Sequence, residues 1–233
     1  MDNIIQLQST IVMIFKADEI SIPSLRRIEA LNHLNKVYKL QLAQQVDPFI
    51  INQNQMIFRN GEFFYDGDLY LIDEIIIDNR RLIIKMSAPS DIMDTFFNIF
   101  RDELINIDVR NKKSKYVPLI TTYDTSCVCC LNFDLIEYIG GENIKSLTDS
   151  IEDKIPKYDS KISLIPSSVK FKIDYFDIPA NIRKNKITLS EKNLIIEYRE
   201  KTNPDDRIYF TSSPSRSDAH LEILKAFEDY NKA

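Results

Sequence analysis

Imidazole chemistry in this chain is confined to two side chains, His33 and His220, and neither has a second histidine at metal-ligand spacing. His220 follows Ser213, Ser215, Ser217 and Asp218, which by residue type alone supply a nucleophile, a base and an orienting acid. No Gly-x-Ser-x-Gly strand elbow accompanies them, and Ser and Asp around a proline are what a helix start needs for capping. The cap is the preferred reading. Cys127, Cys129 and Cys130 invite a metal assignment, but a tetrahedral zinc site needs a second ligand pair, and no other cysteine exists. Strand alternation puts Cys127 and Cys129 with Leu131, Phe133 and Leu135 and sends Cys130 to the other side. Buried apolar filling is therefore expected.

Carboxylates are the remaining reactive groups. Asp66, Asp68, Asp73, Glu74 and Asp78 fall close together, and magnesium needs only one or two of them plus substrate phosphates. A metal-dependent hydrolase built on Asp68 and Glu74 is the enzyme alternative, although Asp66 and Asp78 sit where turns favour Asp. The four glycines, Gly61, Gly67 and the Gly140-Gly141 pair, form neither a P-loop nor a dinucleotide fingerprint. No catalytic residue, metal or cofactor is assigned.

The elements that would position these groups are clearest between Met56 and Leu104. Met56 to Arg59 and Glu62 to Tyr65 flank Asn60-Gly61, which reads as a two-residue hairpin turn. Asp66-Gly67 turns into a strand from Asp68 to Ile77, and Asp78-Asn79 returns the chain through Arg81 to Met86. A four-stranded antiparallel meander is predicted. Ser90 then caps a helix whose Ile92, Phe96, Ile99, Phe100 and Leu104 share one face.

The second half repeats this grammar, with strands at Val169–Tyr175, Lys186–Leu189, Asn193–Arg199 and Arg207–Thr211. A helix opened by Pro214-Ser215 follows, carrying Ala219, Ile223, Leu224 and Phe227. Upstream of each sheet lies a further strand and helix: Thr10 to Lys16 with Ser24 to Asn35, and Cys127 to Leu135 with Glu142 to Ile155. Between Lys36 and Gln55, Val37 to Leu42 fits either a helix extension or a strand. The expected fold is α+β, two similar antiparallel-sheet units with helices on one face, each ordered strand, helix, four strands, helix. That order resembles the duplicated saddle of the TATA-box-binding-protein-like folds, a resemblance of topology that carries no function with it. The halves are 1–110 and 111–233, joined at the Lys-rich Arg110–Lys115 stretch and forming either two units or one pseudo-symmetric domain.

Alternation assigns the sheet faces. In the second sheet Val169, Phe171, Ile173, Tyr175, Ile187, Leu189, Leu194, Ile196, Tyr198, Ile208 and Phe210 form the core side. Lys170, Lys172, Lys186, Arg199, Arg207 and Tyr209, with Asp174 and Glu197, form an open, locally basic side. In the first sheet Tyr70, Ile72, Ile76 and Ile83 fall outward beside Asp68, Glu74, Arg81 and Lys85. A sheet with two apolar faces is covered twice, first of all by the other half of its own chain and otherwise by a second protein molecule.

Thirty Lys plus Arg against 35 Asp plus Glu give a net charge of −5, so bulk attraction to nucleic acid is excluded and only a local patch remains. The longest apolar run near the start, Ile11 to Phe15, is too short to span a bilayer and lacks a signal peptide's basic flank. A soluble, unprocessed, cytoplasmic protein is expected, and the clustered cysteines fit a reducing compartment. The leading function is a non-catalytic binding or assembly module acting on a protein partner or a second copy. The alternative is nucleic-acid binding by the Lys170, Lys172, Lys186, Arg199 and Arg207 face, with an affinity that falls steeply with salt. A small apolar ligand held between helix and sheet is a third option, because a core and an empty pocket share one pattern.

Overall fold

The computed structural model describes residues 3–17, 19–43, 55–108, 115–135, 139, 167–173 and 192–230. In chain order the elements are β1 (Asn3–Ile14), α1 (Ile22–Leu25), α2 (Ile28–Tyr38), β2 (Gln41–Leu42), β3 (Gln55–Tyr65), β4 (Asp68–Asp78) and β5 (Arg81–Met86). Then come α3 (Ser90–Ile107), β6 (Ile120–Cys130), β7 (Ser168–Ile173), β8 (Lys192–Tyr198), β9 (Ile208–Ser213) and α4 (Ser217–Tyr230). The Glu142–Ile155 helix, the Lys186–Leu189 strand, Gly140-Gly141, Asp174, Tyr175 and most of the Arg110–Lys115 stretch lie outside the described residues, as do Lys186 and residues 44–54.

The sequence predicts two sheets; the described residues form one. Nine strands run antiparallel in the order β2-β3-β4-β5-β1-β6-β9-β8-β7. The seam is β1 against β6, paired from Asn3↔Cys130 to Ile14↔Ile120. Each of these long strands carries backbone donors and acceptors on both edges, and pairing with one another satisfies edges that two separate sheets would leave open.

Among the described residues the large helices, α2, α3 and α4, pack on one face. α2 and α3 cover Ile11, Met13, Ile75, Ile77, Leu82, Ile84 and Met86, and the core there closes with Phe96, Phe100 and Leu104. α4 contributes Leu224 to a second cluster with Cys127, Cys129, Leu131, Phe133, Ile196 and Tyr209. The predicted Ser24–Asn35 helix is two pieces with extended Arg27 between them. Beyond it the helix runs on to Tyr38, reverses at left-handed Lys39 and gives the short β2. In α3 the buried face also takes Met93 and Phe97, whereas Ile99 is exposed.

Asn60-Gly61 is not a hairpin turn. β3 runs straight through it, with Arg59 opposite Glu74 and Gly61 opposite Ile72. Asn60, at φ +57°, and Asp73 are left as one extra residue in each strand, and the register of β4 against β5 shifts between Ile72 and Glu74. Asn tolerates that left-handed conformation. A Cβ on Gly61 would lie 2.6 Å from Leu40 Cδ2 and 3.1 Å from Ile72 Cβ, so glycine here admits the chain leaving α2. The real turn is the next one, Asp66-Gly67, with both φ angles positive as a tight hairpin requires.

Inserting one residue at Asp73 reverses which side chains face the helices, so Ile72 is buried in the core and Tyr70 packs against it, while Ile76 and Ile83 stay on the open face. Tyr209 is also interior: alternation from the sequence puts it on the open basic side, yet it is 0% exposed beneath α4. Ile208 and Phe210 take the outer parity in its place. Tyrosine is admitted to the core because its hydroxyl donates to the Phe133 carbonyl at 2.9 Å, leaving only the ring to be buried as hydrocarbon.

Candidate functional site

The serine and histidine group at the start of α4 is the nearest approach to a catalytic constellation, and its hydrogen bonds run in one direction. The Thr211 hydroxyl donates to the Cys127 carbonyl at 3.3 Å and so accepts from His220 Nε2 at 2.9 Å. That fixes Nδ1 as the acceptor of the Ser213 hydroxyl at 2.7 Å, and Ser213 in turn accepts from Ser215 at 2.6 Å. His220 is 0% exposed, and burial lowers its pKa to about 4, so the ring is neutral. Asp218 is exposed, and its carboxylate takes the Ala219 N–H instead of orienting the imidazole. A sealed ring with no acid behind it anchors a helix; it does not activate a nucleophile.

A second polar group joins the helix starts. Ser90 N–H donates to Ser217 Oγ and Ser217 N–H donates to Ser90 Oγ, both at 2.9 Å, so each helix is capped by the first residue of the other. Beside this pair Asp94 accepts from the Tyr123 hydroxyl at 2.6 Å and from Arg216 at 2.6 Å, and the Arg216 guanidinium lies 4.9 Å above the Tyr123 ring. Burial, with Asp94 adding to it, pushes the Tyr123 phenol up to about 12. The sequence marked Ser90 and Ser215 as caps of their own helices. The exchange between helices, and the Asp94–Arg216 pair, had no local signal because the partners are more than a hundred residues apart.

Cys127 and Cys129 are buried side by side with Leu131, Phe133 and Leu135, and Cys130 is on the opposite side. The hydrogen bond that Cys129 donates to Cys127, together with burial, raises the Cys129 pKa far above its ordinary value, which keeps Cys129 an unreactive thiol. The acids also disperse. Asp73 accepts from Gln8 at 2.9 Å and Ser87 at 3.3 Å, Glu74 from Arg59 at 2.9 Å, and Asp78 from the Arg80 N–H and the Arg81 side chain. Asp68 and Glu74 are separated along β4 by about 20 Å at ~3.3 Å per residue, too far to share a cation. No three His, Cys, Asp or Glu side chains converge as metal ligands among the described residues.

The basic residues divide as well. Lys170 and Lys172 are exposed on the edge strand β7, where Lys172 is opposite Asn193. Arg199 and Arg207 are exposed at the far end of β8 and β9, about 20 Å from Lys172 by the same rise. Lys192 is held by Asp124. An open depression of about 410 Å³ is lined by Arg199 together with Ser167, Glu197, Tyr198, Glu200 and Phe210, so its two acids outnumber its one base.

What the sheet does assemble is a continuous apolar row on the face away from the helices. Ile57 pairs Ile76, Ile76 pairs Ile83, and Ile83 pairs Val12, with Ile14 and Ile120 adjoining at the seam. All six are half-buried. On one side the row is bordered by Arg59, Glu74, Lys85, Thr10 and Asp124, and on the other by Gln55, Asp78 and Arg81. At the tip of the β3–β4 hairpin, Phe64, Leu69 and Leu71 are 68%, 47% and 52% exposed on the same face. The expectation that the chain's other half would cover Ile76 and Ile83 is not met among the described residues, because the halves join edge to edge and not face to face. No helix is long and apolar enough to cross a membrane among the described residues. No protein-family model matches the chain, and no curated protein matches it.

Proposed function

We propose that this protein is a non-catalytic binding module that holds a protein surface against the open face of its sheet, in a cytoplasmic setting. The observation that carries this reading is the Ile57–Ile76–Ile83–Val12 row with its charged borders, an apolar centre inside a polar rim. Arg59, Lys85 and Arg81 are matched there by Glu74, Asp78 and Asp124, which favours a protein partner over a polyanion. The module also reads as an internal duplication of 1–110 and 111–233. In support, the sheet order runs outward from the β1–β6 seam through β5 and β4 on one side and β9 and β8 on the other, and each half ends in a helix capped by the other.

Replacing Ile76 and Ile83 together by Thr tests the reading, since Thr keeps the strand shape and removes apolar contact. On a face reserved for a partner, the isolated protein keeps its stability within about 1 kcal/mol, measured by urea denaturation at low concentration. A loss of about 3 kcal/mol or more is the cost of emptying a core, and would mean that the chain covers this face itself.

A further inference from the structure

Resting on the open face as a docking surface, we propose that its occupant is a second copy of this chain, the two sheets stacked face to face about a two-fold axis. Along β3, β4 and β5 one border of the apolar row alternates Arg59, Glu74 and Lys85, and the other brings Asp78 next to Arg81. A strongly basic or acidic partner gains nothing from such a balanced rim, whereas a surface with the same alternation meets it without net repulsion, and the molecule's own face is one. The net charge of −5 is therefore not concentrated where two copies would touch.

Nine strands at ~4.8 Å spacing make a face roughly 40 Å across, and all of them except the two-residue β2 are six to twelve residues long, which extends it ~20–40 Å. Such a face offers on the order of 1,000 Å², compared with the ~800 Å² per partner buried in a standard stable interface. The centre of the row is Ile, Ile, Ile and Val, β-branched side chains that make the low, even surface by which two sheets stack ~10 Å apart. Because α2, α3 and α4 all pack on the opposite face, none of them obstructs the approach.

The experiment is sedimentation equilibrium of the full chain over a concentration series, with light scattering as a second measure of mass. It is run on the unmodified protein, on Ile83→Lys and on Ile76→Thr with Ile83→Thr. The expected result is twice the mass of one chain for the unmodified protein, and a single-chain mass for both variants with an unchanged denaturation midpoint at low concentration. A single-chain mass for the unmodified protein at every concentration overturns the second copy, while undiminished stability of the Thr pair would leave the docking face standing for another protein. A dimer that persists in Ile83→Lys and in the Thr pair places the contact elsewhere and also overturns the inference. Collapse of the Thr pair overturns both readings together, because the face is then part of the chain's own core.

Discussion

His220 illustrates how a reactive side chain becomes a structural one. Its two nitrogens are committed to Ser213 and Thr211, and a second proton on the ring would have to displace the Ser213 hydroxyl bond. The folded pKa, about 4, is below the ordinary 6.5, so between these values the unfolded chain binds the proton and the folded chain does not. The contribution to stability is thus complete above pH 6.5 and is lost as pH falls towards 4, amounting to about 3 kcal/mol at most at 1.36 kcal/mol per unit. Urea midpoints recorded from pH 7 to 4 should fall more steeply for the unmodified protein than for His220→Gln. Parallel slopes would mean that the ring does not govern the acid sensitivity.

At the scale of elements the informative feature is the bulge shared by β3 and β4. It turns Ile72 inward and leaves Ile76 outward, so one inserted residue decides which β4 side chains lie on the open face. Gly61 is its most constrained position, pressed by Leu40 and Ile72. Gly61→Ala should lower the thermal midpoint through a loss of about 1–3 kcal/mol, the usual cost of overpacking, since Leu40 must shift and Ile72 has backbone-fixed Cβ geometry. An unchanged midpoint would show that the Leu40 segment yields freely and that the close approach is incidental. Period-two alternation made Cys127 and Cys129 readable as inward, and the positive-φ preference of Asp-Gly marked the hairpin at Asp66-Gly67. It could not reveal a bulge, because Asn60-Gly61 carries the same local preference whether the chain reverses or merely steps sideways.

For the whole molecule, the β1–β6 seam has the greatest consequence. Cutting the chain into 1–110 and 111–233 exposes long edges of β1 and β6 and separates Ser90 from Ser217 and Asp94 from Arg216. The two pieces, expressed separately, should be poorly folded or aggregated, and when refolded together they should co-elute one to one with the circular dichroism of the intact protein. Two pieces that fold alone as stable monomers would instead make the halves independent domains.

By itself the sequence determined the local character of this protein: α+β elements, antiparallel strands joined by tight turns, helices with one apolar stripe, and inward Cys127 and Cys129. These depend on neighbours within one turn or one hairpin, and side-chain type records them directly. Only the tertiary structure decided that the halves share one sheet, that Tyr209 and Ile72 are interior, and that Ser90 and Ser217 cap each other. Strand partners are chosen by unpaired backbone groups and by packing between residues far apart in the chain, and backbone groups are the same at every position, so no local pattern names the partner.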